Sequence, residues 1–280
     1  MGNEPAFTAE ENLNSVLFSK SKKFVIVEGP FDRVIYSEVY EVLEQLSDLD
    51  LSNHLIIFGG GKKEIETWYM SESPRNAKCI FDRYFDCSDY NMPKHSYVEL
   101  NRYSIENYFF DKSVVFPFLR LVLSINIDQI EDKIDFVHLF SHWTTDAKSL
   151  LSVLYYYQKI YVSDNKDKWD AKFLCKNDSH ELCEMKVEAL VNKLLTDMGV
   201  TLDICTEAFN DSELSLECLS RSFPGKLLLE SYYRFLKFTC SGIKRDSSGY
   251  LTNSKGLVAQ LIPRLINNGD LKSKLLLAAS

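Results

Sequence analysis

The chain has 280 residues, of which 45% are hydrophobic and 13% aromatic, enough to bury a substantial core in one domain with an extension, or in two. Its formal net charge is −8, which excludes a uniformly basic nucleic-acid binder; any grip on phosphates needs positive charge concentrated locally. Seven cysteines (79, 87, 175, 183, 205, 218 and 240) contain no Cys-x-x-Cys pair, which argues against a disulfide framework and a zinc ribbon and fits reduced thiols in a cytoplasm.

The start lacks the basic and apolar regions of a secretory signal, and Ala6 stands where a myristoylation pattern needs Ser or Thr. The longest apolar run, 114–125, is interrupted by Pro117 and Arg120 and is far short of a membrane span. A cytoplasmic protein with no membrane association is expected.

Taken in chain order, Lys23–Val27 reads as a strand, 31 to 49 as an amphipathic helix with apolar Ile35, Val39, Val42 and Leu43, and His54–Phe58 as a second strand. Residues 63–70 read as a helix, Ala77–Phe81 as a third strand and 96–100 as a fourth. Short apolar runs alternating with helices predict an α/β fold, a mainly parallel sheet covered by helices on both faces. From 112 onward the pattern turns helical, as at 146–157, 180–198, 226–238 and 253–266, so the expected division is an α/β domain over 1–112 and a mostly helical extension over 113–280.

Two acids stand where such a sheet does chemistry. Glu28 follows the first strand directly and Asp82 the third; if these strands are parallel neighbours, both acids emerge at the carboxyl edge, where open α/β sheets bind ligands. There they could share Mg²⁺, which prefers carboxylate oxygens and often takes only one or two from the protein. Either acid alone is more often a cap or a surface residue.

Other candidates carry competing readings. Asp32 is placed to cap the following helix, and Arg33 to meet a phosphate or a surface partner. Gly59-Gly60-Gly61-Lys62-Lys63 opens a helix, so its backbone N–H groups and lysines could cradle an anion, with Lys62 the preferred contact; Walker A spacing is absent. Lys20, Lys22 and Lys23, and later Lys244 and Arg245, are further basic clusters, each read first as solvated surface. Ser104 is a suitable N-cap for a short helix, leaving Glu106 as either a capping acid or a third carboxylate. His138 and His142 are four apart but lack a third ligand, and Tyr155, Tyr156, Tyr157 and Tyr161 are read as packing before base stacking.

The ordered set of strand, Glu28-Gly29, helix, strand and Asp82, over roughly 20–112, resembles the Toprim domain of topoisomerases, primases and overcoming-lysogenization-defect nucleases. The run Ile105-Glu106-Asn107-Tyr108 is similar to a segment of a Toprim branch of bacterial defence proteins encoded beside an ABC-type ATPase, the AriB-like effectors of PARIS anti-phage systems, with a weaker echo at Pro224-Gly225-Lys226. The resemblance implies a Mg²⁺- or Mn²⁺-dependent nuclease that cuts RNA, host tRNA in particular, and arrests growth. It further implies restraint by an AriA-like ABC-type ATPase and dimerisation on release. Glu28, Asp82 and Asp86 would hold metal, Glu106 would assist catalysis, and Lys62, Lys63 and Arg33 would meet the substrate. Toprim proteins usually carry Asp-x-Asp, and here the second acid is Tyr84, whose phenol stays protonated near neutral pH. Asp86 could replace it. A catalytically silent subunit that docks an ATPase is the alternative, and a topoisomerase- or primase-like DNA enzyme a weaker third.

Overall fold

In the computed structural model, which describes residues 7–46, 50–85, 90–161, 173–210 and 219–280, four strands form one sheet: β1 (Lys23–Val27), β2 (His54–Phe58), β3 (Ala77–Phe81) and β4 (Tyr97–Glu99). All pair in parallel, in the order β2-β1-β3-β4. The first three strands coincide with the apolar pentads read from the sequence. In β1, covered by helices on both faces, the four residues after Lys23 are buried in succession, whereas β2 at the sheet's edge buries only Ile57 and leaves Leu55 exposed.

The remaining elements are α1 (Ala9–Phe18), α2 (Pro30–Leu46) and α3 (Lys62–Glu72), then α4 (Lys112–Leu123), α5 (Ile127–Lys133), α6 (Phe136–Asp146) and α7 (Lys148–Lys159). After these come α8 (Glu184–Met198), α9 (Leu202–Asn210), α10 (Leu219–Ser222), α11 (Gly225–Ile243), α12 (Ser254–Leu261) and α13 (Gly269–Ala279). Short 3₁₀ segments lie at Ile105–Phe110, Arg245–Tyr250 and Ile262–Asn267.

Within the described residues, one compact unit takes in 7–83, 90–101 and 262–280, and the other takes in Tyr84, Phe85 and 102–261. This partition differs from the division expected at 112. Residues 102–112 belong with the helices, and the last helix returns to the sheet. The helix expected over 253–266 also divides: α12 stops at Leu261 and a 3₁₀ turn continues through Pro263, whose ring and missing N–H oppose another α-helical turn.

In the first unit the sheet separates two apolar layers. Phe24, Ile26, Cys79 and Phe81 pack with Leu13 and Val16 of α1 and Ile65 and Tyr69 of α3. The alternate residues face the other layer, where α2 buries Ile35, Tyr36, Val39, Tyr40 and Leu43, an i, i+4 stripe. Each such side chain contributes about 1.5–3 kcal/mol relative to leaving it in water. Pro30 sits at the first position of α2, where its missing N–H costs no helical bond. The end of α13 is tied to the strand starts: Lys78 Nζ donates to Leu277 O at 2.9 Å, and His54 Nε2 lies 2.9 Å from Ala279 O.

Gly59, after β2, sits where α3 crosses closest. A Cβ built there would lie 2.4 Å from Ile65 Cγ1 and 3.2 Å from Ile26 Cγ2. Gly59→Ala is expected to destabilise the chain by about 1–3 kcal/mol through overpacking, read as a lower midpoint in thermal or urea unfolding.

The second unit is built from helices. Its apolar run in α4 buries Val114, Val115, Phe116, Phe118, Leu119, Val122 and Leu123, which explains its hydrophobicity without a membrane. Among the described residues no single helix is long and apolar enough to cross one. Cys79, Cys175, Cys183, Cys205 and Cys240 are free thiols.

Candidate functional site

The strand order creates one topological switch point. From β1 the chain passes outward to β2 on one side, while β3 continues to β4 on the other, so the carboxyl ends of β1 and β3 flank the position at which open α/β sheets bind ligands. Ile26 is level with Cys79. Continuing that register places Glu28 beside the end of β3, and the amide of Asp82 donates to Glu28 Oε1 at 3.0 Å. The two acids expected to converge are therefore adjacent at one rim. Glu28 is 9% exposed, with its own carbonyl accepting from Gly60 N at 3.1 Å, so backbone and carboxylate are both held in place. Asp82 is half-buried.

Hydrogen bonding revises the anion-cradle reading of the glycine loop. Gly59 N donates to Val27 O and Gly60 N to Glu28 O, at 3.0 and 3.1 Å, extending the ladder between β1 and β2 past the strand ends. Those two N–H groups are spent on the sheet. Gly60 and Gly61 have φ of +92° and +131°, a region that only glycine adopts without strain, and Gly61 leads directly into α3. Lys62 Nζ stands 4.2 Å from the centre of the Tyr90 ring, which itself stacks on Phe81 at 5.0 Å. Lys63 and Arg33 are exposed. Asp32 accepts from Gly29 N at 2.9 Å, the capping role expected of it.

An acid missed in the sequence closes β4. Glu99 ends that strand as Glu28 follows β1, and Tyr90 Oη donates to its carboxylate at 2.8 Å. The rule that singled out Glu28 and Asp82, an acid directly after a strand, passes over Glu99 because it lies within the strand, as read over 96–100 and as found.

The other candidates lie in the second unit or outside the described residues. Asp86 is among the latter. Tyr84 adopts φ 49°, its amide donates to Tyr103 O at 2.8 Å, and its ring meets Tyr103 edge-on at 5.3 Å. Glu106 is half-buried in the 3₁₀ turn Ile105–Phe110, and its neighbour Asn107 organises that turn. Asn107 Oδ1 accepts from Ser104 N and Oγ, and Nδ2 donates to Ser220 O and Phe223 O, all within 3.0 Å. Ser104 is the N-cap, as expected.

His138 and His142 have ring centres 4.3 Å apart, and among the described residues no group of three or more His, Cys, Asp or Glu side chains is arranged to hold a metal. Tyr155 packs edge-on against Phe85 and Phe209, and the Tyr157 ring meets that of Tyr161 at a tilt of 32°. The residues that could hold a divalent cation at the rim are Glu28, buried, and Asp82, half-buried, which supply hard carboxylate oxygens. No protein-family model matches the chain, and no curated protein matches it.

Proposed function

We propose that the chain is a Mg²⁺-dependent nuclease of Toprim type, acting as the toxic effector of a bacterial anti-phage system and cleaving host tRNA in the cytoplasm after release from an ABC-type ATPase. The observation that carries the chemical part is the pairing of Glu28 and Asp82 at the switch point, with Asp82 N 3.0 Å from Glu28 Oε1. Support for the substrate and the partner comes from the Glu-Gly, Asp and Ile-Glu-Asn-Tyr motifs.

Glu28 and Asp82 would hold the ion, which when bound supplies charge neutralisation at the scissile phosphate and a more acidic water. The Asp82 amide fixes the plane of the Glu28 carboxyl group, so the acid is oriented before any ligand arrives. Lys62, at the start of α3, would meet a phosphate by leaving the Tyr90 face.

The test is incubation of the purified chain with labelled tRNA and Mg²⁺. Cleavage that stops with EDTA and returns with Mg²⁺ or Mn²⁺ is expected. Intact tRNA at every metal concentration, together with no Mg²⁺ binding by calorimetry, would remove the reading. The second reading, a silent subunit docking an ATPase, is favoured by Tyr84, which stands at the second acid position and is committed to packing on Tyr103. Under it, wild type and Glu28→Ala show equal toxicity when expressed with the trigger.

A further inference from the structure

At the opposite, amino edge of the same sheet lies a cleft of about 900 Å³ within the first unit. Lys20 and Lys22 line it from the turn before β1 and Lys23 from the first position of that strand, with Arg75 from just before β3 and Lys78 from its second position. His54 and His95 add imidazoles from the starts of β2 and the segment before β4. None of the residues lining it is Asp or Glu, in a chain where 40 acids outnumber 32 lysines and arginines.

Part of this charge has a structural explanation. Lys78 donates to Leu277 O and Ser280 Oγ, Lys23 to Ser280 O, and His54 meets Ala279 O, so three groups cap the carbonyl end of α13. Lys22 donates to Asn53 Oδ1. Capping does not account for Lys20, Arg75 and His95, which form no ion pair among the described residues. Burial, and then the neighbouring Lys23, hold the Lys78 ammonium below its usual range, as expected where cations crowd without side-chain anions.

Size and lining select the class of anion. Single-strand binders spread basic groups along a groove that tracks the backbone. Here lysines and an arginine from two separate segments, with imidazoles from two more, line one cavity of small-ligand volume, which also has an apolar wall including Tyr69, Met70, Met92 and Pro93. We propose that this cleft binds a nucleoside polyphosphate, its phosphates among Lys20, Lys23, Arg75 and Lys78 and its base against the apolar wall. The site is separate from the acidic rim and stands or falls independently of nuclease activity.

The test uses the whole chain in EDTA, so that no divalent cation can bridge ATP to Glu28 and Asp82. Saturable ATP binding by calorimetry, competed by inorganic triphosphate, is expected. The double variant K20Q/R75Q should weaken it about tenfold, the loss of two partly exposed charge contacts, with an unchanged thermal midpoint. Glu28→Gln should leave it unaltered. The proposal is overturned by absence of saturable ATP binding, by equal affinity in the double variant, or by a labelled single-stranded RNA that binds the cleft while ATP neither binds nor competes.

Discussion

Glu28→Gln is expected to leave the sheet folded and to lower the proposed tRNA cleavage by about 10³-fold or more, the scale on which loss of a positioned catalytic carboxylate acts. Glutamine keeps the shape, and its amide oxygen can still accept the Asp82 N–H that Glu28 Oε1 accepts at 3.0 Å. What disappears is the charge that a divalent cation requires. Asp82→Asn should behave alike, and the double variant should cost little more than either alone, because residues serving one ion act as a unit. Glu28→Ala is a different experiment: it removes the acceptor of the part-buried Asp82 amide at a cost of about 0.5–1.5 kcal/mol, mixing lost chemistry with lost stability. Cleavage rates across a Mg²⁺ titration, paired with thermal unfolding of each variant, separate the two effects. Wild-type cleavage by both amide variants would locate the chemistry elsewhere.

The parts of this site that were legible in the sequence are those fixed by local chemistry. Lys23–Val27, His54–Phe58 and Ala77–Phe81 are apolar pentads bounded by polar or turn residues, and each is found as a strand with those same ends. An acid immediately after a strand announces itself in the same way, which is why Glu28 and Asp82 could be named. Strand neighbours are another matter. Because β1 lies between β2 and β3, the N–H groups of Gly59 and Gly60 pair with β1 and are lost to any ligand. No local pattern in the glycine run carries that information.

The same limit hid the amino-edge cleft and the return of the chain to the sheet. Lys20, Lys22 and Lys23 read as a short basic cluster, whereas Arg75, Lys78, His54 and His95 join them only once parallel strands align their starting ends. Helix α13 buries Leu271, Leu275, Ala278 and Ala279, but its weak amphipathic pattern does not name the partner. Tyr40 Oη, donating to Leu275 O at 2.8 Å across 235 residues, is a tertiary contact with no sequence counterpart.

The second large effect concerns two glycines on one helix. Gly225→Ala should destabilise the second unit by about 1–3 kcal/mol or more, whereas Gly242→Ala should stabilise it by about 0.5–1 kcal/mol. Both lie in α11. An added Cβ at Gly242 meets nothing within 4 Å, so alanine there only restricts the unfolded chain. At Gly225 the added carbon would stand 2.9 Å from Glu106 Cβ and 3.0 Å from both Asn107 N and Asn107 Oδ1. Those atoms cannot yield, because Asn107 is fully buried with its amide bonded to Ser104, Ser220 and Phe223. The Ile-Glu-Asn-Tyr and Pro-Gly-Lys segments, read as separate echoes of one family, are thus two halves of a single packing joint. Asn107→Ala should be costlier than either glycine change, about 3–5 kcal/mol, since it opens a hole and orphans several buried polar groups together. Urea unfolding of the three variants checks the ordering, and equal midpoints for Gly225→Ala and Gly242→Ala would show that α11 does not dock on the turn through Gly225.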